Sequence, residues 1–127
     1  MTVAIGTDII EIDRIAKVYS RQGVKLAKRI LTASEMTRFS SIDNQTVQLS
    51  FLAKRWCAKE AIAKALGTGI SKGIGWQEME IINDELGAPM VHLNGAAEDR
   101  LEVLGGNKVL ISLSDEQHYA VAFCTII

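Results

Sequence analysis

Residues 55–69 read RWCAKEAIAKALGTG. Wound at 3.6 residues per turn, the chain from about Val47 to Leu66 places Leu49, Leu52, Ala53, Trp56 and Ala63 on one stripe. The pattern predicts one long helix that stops at Gly67, where a glycine suits a left-handed C-cap. Glu60 falls inside the apolar stripe, and a carboxylate there is costly unless something compensates it. The fold and the chemistry of the chain both turn on what that compensation is.

Upstream, residues 3–10 (VAIGTDII) are short, apolar and β-branched, the pattern of a buried strand, with Asp8 breaking it near its end. Ile12, Ile15, Ala16 and Tyr19 then recur at helical spacing, with Arg14, Lys17 and Arg21 on the opposite side. A second short basic helix is expected over Val24 to Leu31. TASE at 32–35 has the form of a capping box that opens a third helix.

Downstream, GTGISKGIGW reads as a glycine-rich loop, after which the period changes. Met79 and Ile81, the DELGAP turn and MVHL give two short strands. A helix follows over Asn94 to Leu104, capped by Asn94, and VLISLSD with HYAVAFCTII closes the chain as a strand pair. The expected fold is α+β, a single small domain over residues 1–127 with an N-terminal strand, one long central helix and an antiparallel sheet.

Composition sets bounds. With 48% apolar residues, 6% aromatic and a single proline, the core must be mainly aliphatic. A net charge of −1 argues against a basic nucleic-acid binder. The charge is nonetheless uneven. Arg14, Lys17, Arg21, Lys25, Lys28 and Arg29 form a run without an acid, which could attract an acidic partner. Two cysteines, Cys57 and Cys124, have no metal-type spacing and fit a reducing compartment. No stretch approaches the ~20 apolar residues of a spanning helix, and a soluble, cytoplasmic protein is expected.

Asp8 and Glu60 are the two acids that violate their surroundings. If the first strand packs on the long helix they could converge, and two such carboxylates repel unless a proton or a cation lies between them; oxygen ligands with waters suit Mg²⁺. The plainer alternative pairs Glu60 with Lys64, four residues on, as a surface ion pair worth ~0.2–0.5 kcal/mol. Lys59, Lys64 and the amides of Gly67, Thr68 and Gly69 could serve phosphate oxygens, or the glycines could simply cap the helix. His92 and His118 lack metal-ligand neighbours, and no nucleophile elbow, P-loop or dinucleotide fingerprint occurs.

Four stretches taken together, GTDIIEIDRI (6–15), FLAKRWCAKEAIAKALGTGI (51–70), NDELGAP (83–89) and LSDEQHYAVA (113–122), resemble the bacterial holo-[acyl-carrier-protein] synthases, small phosphopantetheinyl transferases of fatty-acid synthesis. The likeness runs almost end to end. It implies transfer of 4'-phosphopantetheine from coenzyme A to a serine of apo acyl carrier protein, with Mg²⁺ as cofactor and adenosine 3',5'-bisphosphate as the second product. The family's metal-binding acids fall on Asp8 and Glu60, and its helix lysine, near the pyrophosphate, on Lys64. Arg55 falls where the family has an arginine close to the coenzyme A 3'-phosphate. Glu60 would also be a candidate base for the serine hydroxyl, directly or through a water.

The resemblance further implies an acidic carrier protein docked on the basic run, with Arg14, Arg21 and Lys25 as the expected contacts. It also implies a homotrimer with coenzyme A held between subunits. Some members carry a histidine where this chain has Asp115, so that residue's role does not transfer, although Asp115 could approach the metal. A non-catalytic trimeric module that merely holds coenzyme A would explain Lys64 and the GTG loop. It would not explain why two acids intrude on apolar patterns.

Overall fold

The computed structural model describes residues 1–70 and 73–127; of the expected glycine-rich loop, Ser71 and Lys72 lie outside the described residues. The chain opens with strand β1 (Ala4–Glu11) and runs through helices α1 (Ile12–Gln22), α2 (Val24–Ile30), α3 (Ala33–Ser40) and α4 (Gln45–Leu66). Strands β2 (Met79–Asn83) and β3 (Pro89–Leu93), helix α5 (Gly95–Val103), and strands β4 (Val109–Asp115) and β5 (Tyr119–Ile126) complete it. The α+β class, the long central helix and the antiparallel pairing are as the sequence predicts. None of the described helices is long and apolar enough to cross a membrane.

Sequence order hid one relationship. The first strand joins the last two in one antiparallel sheet of order β1-β5-β4, while β2 and β3 pair separately. In that register Asp8 stands opposite Ala122 and Gly6 opposite Cys124. Successive strand side chains alternate between faces, so Gly6, Asp8 and Ile10 look inward while Ile5, Thr7 and Ile9 look out.

Helix α4 lies across the inward face, and the sizes of the residues there set how closely. Ala120, Ala122 and Cys124 of β5 are fully buried, as are Ala58 and Ala61 of α4. Gly6 belongs to the same small-residue layer: a Cβ added there would lie 2.1 Å from the Ala61 carbonyl oxygen. The alanine content of α4 thus lets a strand backbone touch a helix backbone. Larger aliphatics seal the other sides, with Leu52, Ile62, Leu66, Leu26 and Ile30 all fully buried. Burying one such side chain contributes roughly 1.5–3 kcal/mol. The expected single stripe is therefore too narrow an account of α4, which is enclosed on most of its circumference.

Local signals hold at the ends of α3 and α4. Thr32 and Glu35 form the predicted capping box, Asn44 caps α4 through its side chain, and Gly67 ends α4 with φ 80°. The Asn94 cap does not form. Its side chain makes no capping bond; the Glu78 carboxylate, from a single 3₁₀ turn before β2, accepts from Ala97 N at 3.1 Å instead.

Candidate active site

On the inward face of β1 the Asp8 carboxylate projects toward the last turns of α4, its side chain 17% exposed. Lys64 reaches back over it. The ammonium donates to Asp8 Oδ1 at 2.9 Å and to the Thr7 carbonyl at 3.0 Å. Glu60, one turn earlier, is half-buried and has no ion-pair partner within 4.0 Å among the described residues. The alternative Glu60–Lys64 pair is not made; Lys64 pairs with Asp8 instead.

The charge of Asp8 is felt at Glu60. The Glu60 carboxyl is raised above the usual range, first by its partial burial and then by the Asp8 charge, with Lys64 acting against both. Beneath them the Cys57 thiol donates to the Asp8 carbonyl at 3.2 Å and ties α4 to β1. Burial, followed by the Asp8 charge, pushes that thiol up to about 12, so it remains a neutral donor. Both cysteines are free and buried.

Lys59 is not part of this constellation. It is completely buried and donates to the Ile30 carbonyl at 2.6 Å and to Glu35 Oε1 at 2.7 Å. A lysine so held cannot serve a phosphate. Five residues before Glu60, and so about 140° around the helix, Arg55 is 4% exposed and faces another side of the molecule. Its Nη2 donates to Asn83 Oδ1 at 3.0 Å, and its Nε lies 3.6 Å from Glu35 Oε2. It walls a cleft of about 330 Å³ shared with Ser34, Arg38, Ser41 and Asn83, and an adjoining one that adds Lys54 and Pro89.

The loop after α4 departs from expectation. Gly67 N donates to Lys64 O at 3.0 Å, and the amides of Thr68 and Gly69 donate to Ala63 O at 3.2 and 3.4 Å. Those donors complete the helix cap at the negative end of the helix dipole, so Gly67 and Gly69 offer no amide cradle. The Thr68 hydroxyl is buried without a hydrogen-bond partner in the described structure. Asp115 is likewise placed away from the two acids, 3.4 Å from Lys54. Arg14, Arg21 and Lys25 all stand exposed on α1 and α2.

Sequence reasoning took Glu35 only as a cap. It also accepts from Lys59 and from Ile81 N at 2.8 Å, joining α3, α4 and β2. Arg38 and Asn83 were not singled out either, and neither residue breaks a pattern in its own stretch.

A strand aspartate and a helix glutamate whose charges disfavour each other thus lie beside one exposed lysine, which pairs with the aspartate. The sequence profile of the 4'-phosphopantetheinyl transferase superfamily matches residues 4–124. The chain belongs to that superfamily. Among the proteins it is similar to are holo-[acyl-carrier-protein] synthases. The holo-[acyl-carrier-protein] synthase of Shewanella amazonensis is 49% identical over 94% of each chain. Among solved structures, that of the holo-[acyl-carrier-protein] synthase of Neisseria meningitidis superposes with a TM-score of 0.90 at 37% identity, covering 100% of this chain and 99% of its own. The Bacillus anthracis holo-(acyl-carrier-protein) synthase, solved in complex with CoA (3',5'-ADP), gives 0.83 at 33%, covering 99% and 96%.

Proposed function

We propose that residues 1–127 act as one transferase domain that moves 4'-phosphopantetheine from coenzyme A to a serine of apo acyl carrier protein and releases adenosine 3',5'-bisphosphate. The single observation that supports this reading is the Asp8–Lys64 ion pair that ties β1 to α4, with Glu60 one turn from Lys64 and raised in part by the Asp8 charge.

The donor set fits Mg²⁺. The Asp8 and Glu60 carboxylates would supply hard oxygen ligands. A site of that kind leaves the remaining positions to water and substrate oxygens, which suits an ion that keeps several waters and is bound by one or two carboxylates plus phosphates. When bound, Mg²⁺ would supply neutralisation of pyrophosphate charge.

The chain's own groups divide the remaining work. Lys64, already held at Asp8, presents a positive charge where the leaving bisphosphate gains negative charge. Glu60, with its raised carboxyl, suits the acceptor of the serine proton. As the serine oxygen bonds to the phosphorus that carries the pantetheine arm, the bridging P–O bond breaks and its electrons leave with the bisphosphate. Arg55, with Arg38 and Lys54 nearby, suits the 3'-phosphate. Arg14, Arg21 and Lys25 suit an acidic carrier surface, raising the encounter rate and setting its orientation.

A homotrimer is part of this reading. The outward sheet face exposes Ile5 and Ile9 at 63% each, with Phe123 at 47% beside them. A contiguous apolar patch of that sort favours a protein interface. The setting proposed is the cytoplasm, consistent with two free thiols.

The test is to incubate apo acyl carrier protein with the protein, coenzyme A and Mg²⁺ and to weigh the carrier by mass spectrometry. Gain of one phosphopantetheine group is expected. A carrier of unchanged mass, with coenzyme A still bound by the protein, would establish the non-catalytic binding module instead.

A further inference from the structure

The guanidinium of Arg55 is gripped from three directions. The Phe51 ring lies under it, 4.6 Å from ring centroid to Cζ; Glu35 sits 3.6 Å from Nε; and Asn83 Oδ1 accepts from Nη2 at 3.0 Å. Two of these groups are themselves fixed. Glu35 is 2% exposed and is held by Thr32 N at 2.8 Å, Ile81 N and Lys59. Asn83 is oriented by its other end, since Nδ2 donates to the Gly87 carbonyl at 2.9 Å. Turning the amide over would lose both bonds, so its orientation is determined by its partners. The turn it leans on is stiffened in the same way, with Asp84 Oδ1 accepting from Leu86 N and Ala88 N at 2.9 Å each.

The Nε–Glu35 approach is too long for a hydrogen bond, and Nε is buried without one. Asn83 is therefore the one described group that hydrogen-bonds the guanidinium and fixes its rotation about the side-chain axis. A planar fork recognises a phosphate well only when its N–H groups are held at the right angle. We propose that Asn83 is a positioning residue, which orients Arg55 so that the protein distinguishes a 3'-phosphorylated nucleotide from one that lacks the 3'-phosphate. The inference rests on the assignment of Arg55 to the coenzyme A 3'-phosphate made above.

The experiment compares kcat/KM for coenzyme A with kcat/KM for dephospho-coenzyme A in the parent, Asn83→Ala, Arg55→Ala and the double variant. A charge-assisted contact supports a parent preference for coenzyme A of roughly 10- to 100-fold. Arg55→Ala should abolish most of that ratio, Asn83→Ala should reduce it by about 3- to 10-fold, and adding Asn83→Ala to Arg55→Ala should change the ratio no further. A purely structural role would lower both activities and leave the ratio alone. Should Asn83→Ala not fold, as judged by its melting curve, Asn83→Ser takes its place.

Each outcome decides something. If Arg55→Ala keeps the parent ratio, the 3'-phosphate assignment falls and the inference with it. If Arg55→Ala loses the ratio while the Asn83 variant keeps it, the assignment stands and the positioning role is overturned. A further drop in the double variant would mean that Asn83 acts without Arg55, which also overturns it.

Discussion

Gly6 of β1 and Ala61 of α4 meet backbone to backbone, so closely that a Cβ on Gly6 would sit 2.1 Å from the Ala61 carbonyl oxygen and 2.8 Å from Ala65 N. Both obstacles are helix backbone, which cannot swing aside like the end of a side chain. Asp8 lies two residues along the same inward face, and Lys64 lies between Ala61 and Ala65 in sequence. Gly6→Ala should therefore cost about 3 kcal/mol or more and also pull Asp8 away from Lys64. Urea unfolding and the transfer assay check the two effects together. Parental stability in the variant would show that β1 and α4 are not packed this way.

Two lysines five residues apart in α4 sit in opposite surroundings. Lys59 is buried and shared between Glu35 and Ile30, so Lys59→Ala removes one buried partner of the Glu35 carboxylate and the donor to the Ile30 carbonyl, and should destabilise by about 3–5 kcal/mol. Lys64 is 53% exposed, so Lys64→Ala should cost at most about 1 kcal/mol while removing most transfer activity. Denaturant melts beside activity would separate the two, and a reversal of their order would refute the division.

That division was only half legible in the sequence. Asp8 stood out because it interrupts a β-branched run, and Glu60 because it falls on an apolar stripe. Thr32 with Glu35, and Gly67, announced helix ends because caps are local chemistry. Lys59 was misread because its direction depends on α2 and α3 packing beside α4, which no periodicity within α4 records. The pairing of β1 with β5 was equally hidden, since it joins residues at opposite ends of the chain. The Asn94 cap failed for a related reason: Glu78, distant in sequence, fills its place.

Glu60 should be a stability cost that function retains. Its carboxyl is raised by burial and by Asp8. An acid whose folded value lies above its unfolded value of about 4.3 contributes fully below that unfolded value, and the contribution is lost as pH rises through the folded value. Glu60→Gln should therefore raise the unfolding free energy at pH 7, by less than about 1 kcal/mol because solvent screens the site, with a matching small rise in Tm. The gain should vanish below pH 4, and transfer should be lost. Adding Mg²⁺ should raise the Tm of the parent and not of the variant. Equal Mg²⁺ responses would remove Glu60 from the ligand set.

The carrier surface makes a kinetic prediction. Arg14 and Arg21 are exposed, seven residues apart on α1, while the nearby Lys17 is already paired with Asp13 at 3.2 Å. Arg14→Glu and Arg21→Glu should raise KM for acyl carrier protein by roughly tenfold or more and leave KM for coenzyme A near the parent value. The carrier effect should shrink as salt screens the charges. A matching rise in both KM values would move the docking face elsewhere.

The last prediction concerns how many chains build one site. Asp8, Glu60 and Lys64 lie on one side of α4, and Arg55 points about 140° away around it. The helix body separates the two, and in the proposed function one coenzyme A presents its pyrophosphate to the first group and its 3'-phosphate to the second. Assembly from two subunits resolves the conflict, with the carboxylates of one protomer facing the Arg55 cleft of the next. Glu60→Ala protein, without transfer activity, and Arg55→Ala protein, weakened toward coenzyme A, should then complement when unfolded and refolded together and assayed at low coenzyme A. In a ring with head-to-tail contacts, an equal mixture regains intact sites at about one quarter of positions, since each requires an unaltered Glu60 from one neighbour and an unaltered Arg55 from the other. Recovery near that fraction is the expected result. A refolded mixture no more active than the average of its parts would place both groups in one protomer's site and end the shared-site reading.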